Sequence, residues 1–247
     1  MNDHPIIFIC YPLGAGGTFL ASMIQKALTP EVNLIVDSKG SGHGNTYISH
    51  IQGVYKDHLF SDIGRAIVDD THYETWTTAQ RIEHLQNFII PFYRPTVISL
   101  HCANLDIFIE AFPTAKFICI DTTSDQIKRC RFNVLHKSIS GNVSLLTGLV
   151  EKYKQDYNEC VNRIQHLNLE NLEFFKWLDE EILFVSAKKK YVLDNVLHIS
   201  YADYLDGDEN AFLQPIFEFC NLDASQYNEL VDGLMWYRLS QPRMPNE

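Results

Sequence analysis

Apolar residues in this chain fall into two patterns, and the way the patterns alternate is the first guide to its fold. Residues Pro5–Tyr11 (PIIFICY) are a continuous apolar run rich in β-branched and aromatic side chains, as expected of a strand buried on both faces. A glycine-rich stretch, 12–18 (PLGAGGT), comes next. Phe19, Leu20, Met23, Ile24, Ala27 and Leu28 then recur at helical spacing. The opening is therefore predicted to be strand, glycine turn, helix.

The alternation continues downstream. Asn33–Asp37 reads as a second short strand, leading into a polar glycine-rich loop over 38–45 (SKGSGHGN); the mixed pattern of 46–74 assigns no element. Helix is predicted over Thr78–Ile90, with Pro91 ending it. Strands are predicted over Pro95–Leu100 and Ala115–Ile120, with a short helix over Leu105–Phe112 between them and another over Ser124–Leu135 after them. Two amphipathic segments, Val143–Leu167 and Leu172–Ile182, make 143–185 a candidate helical insertion. A last strand, Val196–Ile199, and two helices, Ala211–Cys220 and Ser225–Leu239, close the chain. Strands alternating with helices predict an α/β fold: a central, mainly parallel sheet with right-handed crossovers, flanked by helices in three layers, as one domain over 1–247.

Charge and composition narrow the partners. A formal net charge of −11 repels polyanions, so nucleic acid is not an expected partner, although a local basic pocket could hold a small anion. The six cysteines are scattered singly, without CxxC pairs or zinc-type Cys/His spacing, and read as reduced thiols; no metal is expected. The apolar run at 5–11 is too short to span a bilayer and lacks the flanks of a secretory signal, so the expected location is cytoplasmic, with no membrane partner.

The glycine turn is the strongest chemical feature. Where a buried parallel strand enters a helix through several glycines, backbone N–H groups at the helix start converge on an anion, aided by the helix dipole. The plainer alternative is a tight connection in which Thr18 caps the helix. A nucleotide triphosphatase would carry GxxxxGK followed by Ser or Thr, but no lysine occurs before Lys26, and the dinucleotide fingerprint GxGxxG lacks its third glycine here.

Three segments, in order, resemble the sulfotransferases that use 3′-phosphoadenosine 5′-phosphosulfate. In the first, Ile6–Ile24, the Gly16-Gly17-Thr18 run resembles the family's Lys-Gly-Gly-Thr loop, with the lysine position held by Ala15, or by Leu13 if the turn is aligned through Pro12. In the second, Ser99-Leu100-His101 resembles Lys-Thr-His, and 115–125 (AKFICIDTTSD) resembles the strand leading to the 3′-phosphate site, with Thr122 nearest the family's arginine. In the third, 196–222, Tyr201-Ala202-Asp203-Tyr204-Leu205 resembles the Tyr-Glu-Asp-Leu signature.

The resemblance implies a P-loop-type fold and sulfuryl transfer from 3′-phosphoadenosine 5′-phosphosulfate to a hydroxyl of a small molecule or glycan. It implies that Gly14, Ala15, Gly16, Gly17, Thr18 and Phe19 hold the 5′ side, Lys128 and Arg129 the 3′ side, and His101 serves as general base. Candidates to replace the missing loop lysine are Lys39, Lys128, Arg129, Arg131 and Lys188–Lys190, and His43 and Asn45 are candidate acceptor contacts. Two other classes stay open: a sulfotransferase fold retained as a binding or assembly module, and a divergent P-loop kinase with Asp121 as metal ligand.

Overall fold

The computed structural model describes residues 5–11, 14–29, 77–89, 95–100, 105–123, 126, 129–130, 133, 158 and 191–241. The expected strand at Asn33–Asp37, the 38–45 loop and the 143–185 insertion lie outside the described residues.

Among the described residues, four strands form one parallel sheet in the order β2-β1-β3-β4: β1 Ile6–Cys10, β2 Thr96–Leu100, β3 Lys116–Asp121 and β4 Val196–Ser200. Phe8 of β1 pairs with Ile98 on one side and Phe117 on the other, and Ile118 pairs with Leu197. The uninterrupted apolar run of β1 is explained by this interior position. Alternate side chains enter different cores, Ile7 and Ile9 on one face, Phe8 and Cys10 on the other.

Helices cover both faces. On the first lie α1 Gly17–Leu28, α4 Tyr201–Asp206, α5 Glu209–Cys220 and α6 Tyr227–Ser240, which bury Leu20, Ile24, Tyr204, Ile216 and Leu234 against the sheet. On the second, α3 Asp106–Ala111 buries Phe108, and Ile82 of α2 Thr78–Ile89 packs beside it. Gln25 ties α1 to the edge of β2: its side chain accepts from Val97 N at 2.7 Å and donates to the Pro95 carbonyl at 2.8 Å.

The C-terminal helices start where side-chain caps place them. Ser200 accepts from Ala202 N at 3.2 Å to open α4, and Asp208 accepts from Ala211 N at 2.8 Å to open α5. Arg238 of α6 then locks α4, donating to the carbonyls of Tyr204 at 3.0 Å and Asp203 at 2.7 Å while pairing with Glu209 at 2.7 Å. Among the described residues no helix is long and apolar enough to cross a membrane.

Candidate functional site

Chain order sets the place of the site. β1 connects onward to β2 on one side, and the chain then passes to β3 on the other, so the sheet order reverses about β1. A crevice opens beyond the carboxyl end of such a strand. The segment there is the glycine turn. Gly14 (φ 87°) and Gly16 (φ 76°) both take left-handed backbone, which a side chain disfavours.

Gly16, not Thr18, is the N-cap of α1, and no side chain caps this helix. Thr18 lies inside the first turn because the left-handed Gly16 already closes the turn, its carbonyl accepting from Phe19 N at 3.0 Å and Leu20 N at 3.3 Å. Among the described residues, the N–H groups of Ala15, Gly16 and Gly17 take no backbone hydrogen bond, as expected of a helix start that still has donors to offer.

Aromatic rings pack the glycines from behind. A Cβ on Gly17 would fall 2.1 Å from the Tyr11 ring, and one on Gly16 would fall 1.7 Å from the Tyr237 hydroxyl. Ala15 is fully buried in the core.

A cluster of buried hydroxyls surrounds these rings. Tyr204 donates to the Gly16 carbonyl at 3.0 Å, and Asn133 Nδ2 donates to the Gly14 carbonyl at 3.2 Å and to Tyr201 at 3.3 Å. Tyr204 stacks on Tyr237 with centroids 5.3 Å apart, and Tyr237 stacks on Phe19 at 4.4 Å. The Tyr237 hydroxyl faces that of Tyr204, whose oxygen stays able to accept while its proton goes to Gly16. No well-formed hydrogen bond reaches the Tyr237 oxygen or Asn133 Oδ1 among the described residues.

Burial pushes Tyr201, Tyr204 and Tyr237 well above the ordinary tyrosine range. Burial likewise pushes the Cys130 thiol up to about 12, against the opposing hydrogen bond with Tyr201 and the charge of Arg129. These groups stay neutral at physiological pH, so the cluster supplies hydrogen bonds and no base. Its positive charge is Arg129, which meets Asp206 at 3.4 Å and is near enough to Tyr201 and Tyr237 to favour their ionised forms.

The structure thus brings Gly14, Ala15, Gly16, Gly17 and Phe19 together with Tyr204 and Tyr237, and sets Arg129 near Tyr201 and Tyr237. His101, Lys128, Lys39, His43, Asn45, Arg131 and Lys188–Lys190 lie outside the described residues. Asn133, Tyr237, Tyr11 and Asp206 were not singled out by sequence reasoning. Asn133 carried one signal, its place four residues after Arg129 in the expected 124–135 helix. No protein-family model matches this chain, and no curated protein sequence matches it.

A second polar group lies across the sheet. His198 Nδ1 meets the two Asp121 carboxylate oxygens at 3.2 and 3.0 Å, and its Nε2 meets the Tyr191 carbonyl at 3.0 Å. Both ring nitrogens are engaged, so His198 braces β4 against β3 and offers no free nitrogen for proton transfer. Asp121, the metal ligand expected of a kinase, holds this histidine. Among the described residues no group of three or more His, Cys, Asp or Glu is placed to hold a metal.

Proposed function

We propose that this chain is a sulfotransferase-like protein of P-loop type that binds the phosphosulfate end of 3′-phosphoadenosine 5′-phosphosulfate at the head of α1. It passes the sulfuryl group to a hydroxyl of a small molecule or glycan. The observation that carries the reading is the turn: two left-handed glycines between an interior parallel strand and a helix of 12 residues, whose first backbone donors take no backbone hydrogen bond among the described residues.

Sulfuryl transfer forms a bond from the acceptor oxygen to sulfur while the bond from sulfur to the bridging phosphate oxygen breaks, and the acceptor proton must leave. Charge grows on the phosphate, so donors fixed in place before reaction are what the step demands. The N–H groups of 15–17 and the Arg129 guanidinium supply such donors, and His101 takes the proton on the family resemblance. Ala15 removes the lysine that would steady the leaving phosphate, and losing one contact of that kind costs on the order of a hundredfold in rate.

One observation favours a second reading, a binding or assembly module without turnover: Tyr11 and Tyr237 press on Gly17 and Gly16 as a core packs, leaving the turn stiff. A divergent kinase is the third class, and it requires magnesium-dependent ATP binding.

Calorimetric titration with 3′-phosphoadenosine 5′-phosphate, 3′-phosphoadenosine 5′-phosphosulfate and Mg-ATP separates the three, followed by a labelled-sulfate transfer assay over phenols and glycans. Binding of both adenosine phosphates with transfer to an acceptor is the expected result. Binding without transfer selects the module, and preference for Mg-ATP selects the kinase. No stabilisation by either adenosine phosphate at millimolar concentration overturns the sulfotransferase reading.

A further inference from the structure

We infer that the outer face of α6 is a docking surface for a basic amphipathic helix of another protein. The inference goes beyond the transfer reading and does not depend on it.

α6 is apolar on two sides. Leu230, Leu234 and Tyr237 face inward and are buried, as a helix that covers a core requires. A helix with no further task would be polar on its outside. Asn228, Asp232, Met235 and Leu239, at the three- and four-residue spacing of one helix face, share the exposed side instead, and the second half of that side is apolar. Met235 is 46%, Trp236 50% and Leu239 80% exposed. Single exposed apolar residues are ordinary, but three adjoining ones at one helix end form a patch of the kind that marks an interaction surface.

Trp236 is held in place by the fold. α6 runs antiparallel to α1: Tyr237 lies at Gly16, Trp236 at Phe19 and Gly233 beside Met23, and Glu229 pairs with Lys26. The Trp236 ring leans on Phe19 with centroids 6.0 Å apart while half of its surface stays in water. A large ring already held in place loses little freedom on binding, which suits it to anchor an interface.

Charge selects the occupant. Residues 201–241 carry eight carboxylates and one cation, Arg238, which is engaged inside the fold by Glu209 and the carbonyls of Asp203 and Tyr204. Glu229 is matched by Lys26, but among the described residues no cation pairs with Asp232, one turn from Met235 on the outer side. A second copy of the chain brings the same carboxylates to this face, and an anionic bilayer is repelled by it. A helix with apolar residues along one side and Lys or Arg beside them matches both halves of the stripe: apolar groups meet Met235, Trp236 and Leu239, and a cation meets Asp232. The stripe from 232 to 239 runs about 10 Å along the axis, two turns of a helix laid against it.

The probe is a synthetic Leu/Lys peptide with leucines at helical spacing, titrated calorimetrically into the full chain beside a Leu/Glu peptide of the same pattern and a shuffled Leu/Lys peptide. The patterned Leu/Lys peptide is expected to bind, and the other two about tenfold more weakly. Leu239→Glu, at a position exposed enough to leave the fold intact, is expected to weaken binding about tenfold, as losing an interface anchor does. Trp236→Ala is expected to act in the same direction, and Asp232→Lys to weaken binding several-fold and flatten its dependence on salt. The added carboxylate of Leu239→Glu strengthens a purely electrostatic encounter, so unchanged or tighter binding by that variant overturns the inference. Equal affinity for the shuffled peptide, or no binding of the patterned one, overturns it as well. Self-association of the parent chain that Leu239→Glu abolishes would assign the face to a second copy, and co-sedimentation with phosphatidylcholine/phosphatidylglycerol vesicles lost in the same variant would assign it to a lipid surface; either result overturns the inference.

Discussion

The two faces of the sheet are built from the same strands yet solve different problems. On the α3 face, Phe8 stacks on Phe117 at 5.0 Å and packs against Phe108 and Phe112 at 5.7 and 5.6 Å, with Leu105, Ala111 and Ala115 filling in. Polar groups there are matched: Leu105 N donates to the Tyr191 hydroxyl at 3.0 Å, and His198 is held at both nitrogens. On the α1 face, equally deep, three tyrosines, Asn133 and Cys130 crowd behind the glycine turn, where Asn133 Oδ1 and the Tyr237 hydroxyl find no well-formed partner among the described residues. Unmatched buried polar groups destabilise a fold, so their gathering at one turn marks where a structure has been shaped by something other than stability.

The largest expected effect tests the apolar face. Phe8→Ala empties the centre of the ring cluster and is expected to cost about 3–5 kcal/mol, read as a drop in the urea midpoint of unfolding. A cost below about 1 kcal/mol would mean that the ring cluster contributes no more than the polar face.

Gly16→Ala probes the other side. It forces left-handed backbone on a residue with a side chain, about 1–2 kcal/mol, and drives a Cβ into the Tyr237 hydroxyl, so the total is expected near 2–4 kcal/mol. The same change is expected to abolish sulfate binding by distorting the donors of the turn. A variant as stable as the parent would show that the turn relaxes freely, and the stiffness ascribed to it would be wrong.

The smallest effect sharpens the contrast most. Tyr237→Phe removes a buried hydroxyl without a well-formed partner, so stability is expected to change by less than about 1 kcal/mol, in either direction. A loss well beyond that limit would reveal a partner for the hydroxyl, and the polar face would then be as well matched as the apolar one.

Much of the architecture was legible in advance because it is local. The apolar run at 5–11 marks an interior strand, and five of its residues form β1 with Ile7–Cys10 all buried. The strands at 95–100, 115–120 and 196–199 and the helices after residue 210 recur within two residues of their expected ends, with a 3-10 turn taking Ala224–Gln226 ahead of α6. α5 starts two residues earlier than its apolar spacing suggests, because the Asp208 side chain caps it. The six-residue helix α4 was not foreseen. It is too short for helical periodicity to register, and the Ser200 cap that opens it reads equally well as the end of a strand.

Sequence alone determined the four strands that the structure describes and where the glycines fall, since each depends on a residue and its near neighbours. Tertiary structure decided which groups meet: Asp121 with His198, Gly16 with Tyr204 and Tyr237, and Arg129 with Asp206. Those partners are separated by tens to hundreds of residues, and no local period encodes them. They are set by the strand order, which puts β1 between its neighbours, and by the docking of α4 and α6 on α1, which brings three distant tyrosines behind one turn.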